Sequence, residues 1–355
     1  MSEAVFVKGP EESGRELEAR LKRAPIPLRK SGGTVAELWV FKPREVRAIV
    51  SFSRSLSIRE AAAKSGLPRS TLWRLVKRLE EKGRFRVVLK LRAFHLYEVI
   101  AFEDKFEDPF AVAKRTLYRP GSRKVITTGL TPDPSNWDWC GEWVTWNPET
   151  AFRLGALTGD GAIRVSQALD AADEGFKEWL ELGVGIKQRV PDPVDALLIH
   201  NFLLKTPPWR RYSLPPERLG EVGATVESLR AHWVRHVRPT WLYNTFTLYM
   251  DLYRVPMWFL VLSGSEASKL GIALAYLTPY AAAMIAPGKV FVILQIPAPG
   301  LAAIWTYADS FNVNVEEFYA VKPSLLRVIP CFYKYLAREG RRWVWRIPAS
   351  SRMKG

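Results

Sequence analysis

Apolar residues recur at helical spacing in two stretches that open alike. Val46, Ile49, Val50 and Phe52 mark a helix over Pro43–Ser55, and Val194, Leu197, Leu198 and Phe202 mark one over Pro193–Leu204. Short helical segments follow each, and then a β-rich stretch, Phe85–Glu103 in the first half and Trp241–Ser263 in the second. Beyond it the second half reads as strand Met257–Leu262, helix Glu266–Leu277, and strands Ala281–Ile285 and Val290–Ile296 joined at Pro287-Gly288-Lys289. Helix Leu301–Phe311 and strand Val315–Val321 complete it. That β-α-β-β-α-β order predicts a ferredoxin-like sandwich. The first half offers Tyr97–Phe102, Pro109–Tyr118, Lys124–Thr128 and Glu142–Trp146 in the same order, with Pro109–Tyr118 where the first helix belongs. Ala162–Leu182 reads as further helix, and no final strand is placed there.

The predicted fold class is therefore α+β, a winged helix-turn-helix followed by a ferredoxin-like sandwich, with the plan repeated twice. The expected bounds are an appendage over 1–33, winged helix-turn-helix 34–95, ferredoxin-like domain 96–185, degenerate winged helix 186–254, second ferredoxin-like domain 255–323 and a basic aromatic tail 324–355. Within the appendage Glu11–Arg23 reads as a short charged helix stopped by Pro25, Pro27 and Ser31-Gly32-Gly33.

Segment 57–83 carries the most local information. Ser57 and Glu60 stand at the spacing of a capping box, Gly66 suits a tight turn, and Pro68 suits the start of the next helix. Leu72, Leu75, Val76 and Leu79 form its apolar stripe. The opposite face presents Arg69, Ser70, Thr71, Trp73, Arg74, Lys77 and Arg78, and Gly83 ends the helix. Arg84–Leu91 alternates like a β wing carrying Arg84, Arg86 and Lys90. A helix fits the major groove and its N-terminal residues reach base edges, so these side chains, with Arg54 and Arg59, are the expected nucleic-acid contacts.

Ser57-Ile58, Ala62, Gly66-Leu67, Ser70-Thr71-Leu72 and the run Lys77-Arg78-Leu79-Glu80-Glu81-Lys82-Gly83 resemble the DNA-binding domain of the Lrp/AsnC (feast/famine) regulators. In place of that family's hydrophobic residue after the glycine stands Arg84, with Phe85 next. The resemblance implies duplex DNA as partner, with ferredoxin-like domains that self-associate or bind a small-molecule effector. In the second half Val226, Leu229, Trp233 and Val237 stand where Leu72, Leu75, Leu79 and Gly83 do, after a helix at Glu217–Glu221. Arg230, Arg235 and Arg238 there, and Arg341 and Arg342 in the tail, are a second set of expected contacts.

Charge supports this placement. The chain of 355 residues carries a net charge of +16, which gathers polyanions. Between Arg54 and Arg92 stand twelve Lys/Arg against three acids. The tail interleaves aromatics and cations over Phe332–Arg346, a mixture suited to RNA or single strands, so an RNA- or ribosome-associated protein is the second reading. Trp137, Trp139, Trp143 and Trp146 read as core packing.

Little points to catalysis. Glu98, Glu103, Asp104, Glu107 and Asp108 read as an acidic turn, and Gly155, Gly159 and Gly161, or Gly183 and Gly185, lack phosphate-loop context. Cys140 and Cys331 lack metal-spaced partners; His232 and His236 lie at i, i+4, as metal ligands do, but no Glu or Cys completes a site, so phosphate contact or plain surface is expected of them. No catalytic residue, metal or cofactor is expected, and the chain reads as a non-enzyme. Siroheme decarboxylases, which pair Lrp/AsnC-like units, show that such an architecture is compatible with catalysis, though no matching His/Arg/Tyr cluster is found. The first 25 residues hold no apolar core, and Leu270–Ala286 is short for a span and broken by Pro279. A cytoplasmic, nucleoid-associated protein without membrane contact is expected.

Overall fold

The computed structural model describes residues 41–153, 165–182, 184–204, 206–248, 255–277, 281–295, 298–322 and 326–347. The appendage, with its expected helix Glu11–Arg23, and the glycines at 155, 159, 161 and 183 lie outside them. Along the chain come α1 (Pro43–Ser53), α2 (Ile58–Ser65), α3 (Arg69–Lys82), β1 (Gly83–Leu89), β2 (Tyr97–Ala101), β3 (Ala111–Arg119), β4 (Ser122–Thr131) and β5 (Trp139–Thr145). Next are α4 (Pro148–Arg153), α5 (Val165–Glu181), α6 (Pro193–Leu203), α7 (Pro216–Glu221), α8 (Val226–His232) and β6 (Trp241–Leu248). Then follow β7 (Met257–Ser263), α9 (Ala267–Leu277), β8 (Ala281–Ala286), β9 (Lys289–Gln295), α10 (Ala298–Ser310) and β10 (Asn314–Val321). Three short strands close the order, β11 (Leu326–Arg327), β12 (Leu336–Glu339) and β13 (Arg342–Trp345).

The helices and sheets assemble into two compact units, each drawn from three separated segments. The first takes the described parts of Met1–Phe85, Val144–Trp179 and Tyr243–Phe318. The second takes Arg86–Trp143, Leu180–Leu242 and the described parts of Tyr319–Gly355.

In the first unit, β7-α9-β8-β9-α10-β10 is the ferredoxin-like succession, and its strands stand in the order β10-β7-β9-β8. β7 runs antiparallel to β9 from Met257↔Gln295 to Leu262↔Val290, and Gly288, at φ +72°, turns the β8–β9 hairpin. The small residues of α9 let it lie close on this sheet: a Cβ at Gly271 would come 2.6 Å from Val290 Cγ1. Leu270, Ile272, Leu274 and Tyr276 join Leu260, Leu262, Val292 and Leu294 in the core. α5 adds Ala171 and Ala172 to it. Within the stretch Leu270–Ala286, residues 270–277 belong to α9 and 281–286 to β8; no helix among the described residues is long and apolar enough to cross a membrane.

The second unit holds strands in the order β5-β2-β4-β3-β11. Its first four repeat the ferredoxin-like order, but no helix separates β2 from β3 or β4 from β5. The helix expected over Pro109–Tyr118 is corrected here to strand β3. Ala111, Ala113 and Leu117 are buried on one face of the strand, and the two-residue step from 111 to 113 is one that a helix face does not give. Val112 and Thr116 are β-branched and favour the pleated conformation, and Gly121 at φ +73° closes the hairpin in which Arg119 faces Ser122. Loops cover the sheet in place of the absent helices. Trp137 from the β4–β5 loop and Phe106 from the β2–β3 loop pack on Val99, Ala101 and Ala111. Trp137 lies so close that a Cβ at Gly129 would meet its ring at 2.5 Å. The Trp137 indole is core, as is that of Trp146 in the first unit, 8% and 2% exposed, while Trp139 and Trp143 are half-buried.

Candidate nucleic-acid interface

The hairpin of α2 and α3 is built from local interactions. Ser57 Oγ accepts the N–H of Glu60 at 3.1 Å, and Glu60 Oε2 accepts those of Leu56 and Ser57 at 2.7 and 3.1 Å, which starts α2. Gly66 ends it in the left-handed region, φ +65°, and Pro68 precedes α3. Leu72, Leu75, Val76 and Leu79 are all buried, so the helix faces the core as its periodicity predicts. Behind it, Phe85 packs between Phe52 and Phe246 at ring distances of 5.1 and 4.8 Å. Asn244, itself buried, donates through Nδ2 to the carbonyls of Phe52 and Ser55, 2.7 Å each, tying β6 to the end of α1.

β1 alternates buried and half-buried residues from Gly83 on, so Phe85 rather than residue 84 faces the core. The ladder partner of β1 is β6, so the wing pairs with a strand distant in sequence.

The outer face of α3 exposes Arg69, Ser70, Trp73, Arg74, Lys77 and Arg78, with Thr71 half-buried. Trp73 is a large hydrophobe left 37% exposed, and Lys77 Nζ lies 5.0 Å over its ring. Lys77 also approaches Glu80 at 3.7 Å, whereas no carboxylate among the described residues pairs with Arg69, Arg74 or Arg78. Beside this face Lys42, Arg44, Thr71, Arg74 and Arg78 line a cleft of about 530 Å³, with Glu45 at its inner wall. Four cations around one cleft make it an anion-attracting surface. Glu45 offsets little of that charge, because its fully buried carboxylate already accepts from the Lys42 N–H and from Lys82 Nζ, the latter at 3.1 Å to each oxygen.

The remaining predicted contacts are dispersed. Arg59 is exposed on α2. Arg54 is engaged within its unit, bonding Glu149 at 2.9 Å and Glu178 at 3.0 Å. Arg84 donates to the Glu80 carbonyl at 2.8 Å, Arg86 is half-buried, and Lys90 pairs with Glu142 at 2.6 Å. In the second unit Arg230, Arg235 and Arg238 are exposed around α8 and the π-helical turn Trp233–Val237 that continues it, while Leu229, Trp233 and Val237 are buried. Arg341 and Arg342 stand exposed at the β12–β13 hairpin, whereas Phe332 and Tyr333 of the same tail are buried.

The acidic segment contains one unusual group. Desolvation pushes the Glu98 carboxyl up to about 8, against the Trp143 N–H that donates to it at 2.8 Å, and the neighbouring Glu142 raises it further. Because the folded value exceeds the ordinary 4.5, the native state binds the proton more tightly and stability falls as pH rises from about 4.5 to 8. At about 1.4 kcal/mol per unit, and reduced for a half-buried group, we expect the chain to lose about 2 kcal/mol across that window. Glu98→Gln should flatten the loss in urea unfolding; equal slopes in both proteins would remove Glu98 as its source. Asp104, by contrast, is exposed and held below its ordinary value by Lys114.

Comparison with known proteins places this geometry. The winged helix-turn-helix DNA-binding family model matches residues 53–86. No curated protein matches the chain. Among solved structures, the chain is similar to the siroheme decarboxylase NirDL, with 10% identity and a TM-score of 0.40 over 81% of this chain and 93% of that one. The same protein in co-complex with an iron-uroporphyrin III analogue gives 10% identity and a TM-score of 0.36 over the same shares. The expectation of a non-enzyme is corrected by this finding, since the similar structures are those of an enzyme; a likeness at that level transfers no residue or substrate. Residues 53–86 carry a winged helix-turn-helix DNA-binding element.

Proposed function

We propose that this chain is a DNA-binding regulator of transcription that lays α3 in the major groove, through Arg69, Ser70, Trp73 and Arg74. The supporting observation is the outer face of α3, whose first turns carry two exposed arginines that pair with no carboxylate among the described residues, next to a hydroxyl and an exposed indole. Arginine suits the paired acceptors of guanine, and serine suits phosphate or base. Lys42, Arg44 and Arg78 follow the adjoining phosphates along the cleft, and Arg54 serves as an internal strut. The second winged helix is a diverged copy of the first, and the ferredoxin-like sheets serve self-association or effector binding.

Competition between duplex genomic fragments and structured RNA at one fixed salt concentration tests this reading. Duplex is expected to bind more tightly, with log K falling against log salt at a slope of about −4, as for four to five neutralised phosphates. Tighter binding of RNA would reject it.

A further inference from the structure

The two winged helices neutralise the same buried acid in different ways. α1 and α6 each begin with proline in the first turn and carry a carboxylate at the third position, Glu45 in one and Asp195 in the other, both fully buried. In the first copy the ammonium of Lys82, from the end of α3, meets that carboxylate. Aligning Leu79 and Gly83 with Trp233 and Val237 puts His236 at the position of Lys82 and His232 at that of Arg78. No lysine stands there. Instead His232 Nδ1 lies 3.0 Å and His236 Nδ1 3.1 Å from Asp195 Oδ1, and His232 Nδ1 lies 3.2 Å from Asp192 Oδ2.

We propose that Asp192, Asp195, His232 and His236 form a binding site for a divalent transition-metal ion of the zinc class. Each residue offers one donor, and all four donors lie within 4.8 Å of one another. Zinc takes nitrogen and carboxylate oxygen at about 2.0–2.2 Å in a tetrahedron, whose edges are then about 3.3–3.6 Å. The separations of the His232 and His236 Nδ1 atoms from the carboxylate oxygens, at 3.0–3.2 Å, are slightly below that edge, so small rotations of the rings admit the ion. The imidazole–carboxylate mixture favours zinc over the all-oxygen sites of magnesium or calcium.

The surroundings suit ligation. Asp192 Oδ1 accepts the Asp195 N–H at 2.9 Å, which fixes both acids at the start of α6. Arg189 bonds the other oxygen of Asp195, orienting it as an outer partner orients a ligand. The two imidazole rings meet edge to face at 4.9 Å, and the wide π-helical turn Trp233–Val237, a feature frequent at functional sites, carries the second of them. The ion takes the place that Lys82 fills in the first copy and clips α6 to the turn after α8. Four protein donors make this a closed, structural site.

The test titrates the metal-free full-length chain with Co²⁺ alone, read by visible absorption, followed by displacement with Zn²⁺. One equivalent with a tetrahedral spectrum is expected. His232→Gln and His236→Gln should each weaken binding by more than the roughly 100-fold that losing an outer-shell partner costs, while His95→Gln leaves it intact. Zn²⁺ should raise the thermal midpoint of the parent and of His95→Gln but not of the other two, a reading that also reports whether those variants fold. Absence of a tetrahedral spectrum, or equal binding in all four proteins, would overturn the site.

Discussion

Replacing Arg69 and Arg74 together by Ala is expected to weaken binding to the preferred duplex by roughly 2–6 kcal/mol, about 30-fold to more than 10⁴-fold, at fixed salt. The range follows from about 1–3 kcal/mol for each arginine that pairs with a base edge. Both side chains are exposed, and no carboxylate among the described residues pairs with them, so removing them leaves no buried charge behind. Stability should therefore stay within about 0.5 kcal/mol of the parent. The specificity should relax at the base pairs read, and binding to random duplex should fall much less. Arg78→Ala gives the contrast. A cation that meets only phosphate lowers affinity for every sequence alike and reduces the salt slope by about one. Fluorescence anisotropy with a selected and a scrambled duplex separates the two outcomes. Equal losses on both duplexes for the Arg69/Arg74 variant would mean that α3 does not read bases.

The parts legible in the sequence are those set by near neighbours. The cap at Ser57 and Glu60, the turn at Gly66 and the stripe Leu72–Leu79 arise from contacts three or four residues apart. Strands and helices of the second ferredoxin-like succession were equally plain, because α9 and β7–β9 are apolar enough to declare their period. In β3 only three small or medium residues mark the buried side, and Arg115 interrupts them, so a strand read as a helix. That the first succession keeps its strand order while losing both crossover helices follows from Trp137 and Phe106 covering the sheet, and nothing local to either residue states it.

Long-range partners were the other gap. Arg54 meets acids 95 and 124 positions away, and only the fold reveals that its charge is engaged. His232 and His236 were visible as an i, i+4 pair, but the acid they share lies 37 and 41 residues upstream. Asp192 and Asp195 have a sufficient local role as a helix cap, which hides a second one.

Phe85→Ala should cost about 3–5 kcal/mol, the range for truncating a buried aromatic ring. Phe85 is 2% exposed and is held between Phe52 and Phe246, and the backbone on one side of it cannot close the gap. Gly83 already sits so near β6 that a Cβ there would strike the Thr247 carbonyl oxygen and the Phe246 ring. The cavity would therefore persist rather than collapse. Against the roughly 5–15 kcal/mol that holds a domain folded, this loss loosens the scaffold on which α3 rests. Urea unfolding should show an early transition for Phe85→Ala, and duplex binding at 37 °C should drop with it. The Arg69/Arg74 variant separates the causes: it loses binding with its unfolding midpoint unchanged, whereas Phe85→Ala regains binding on cooling or lowering urea. A Phe85→Ala midpoint within about 0.5 kcal/mol of the parent, the usual span for surface changes, would show that the ring does not bear on the helix it is placed behind.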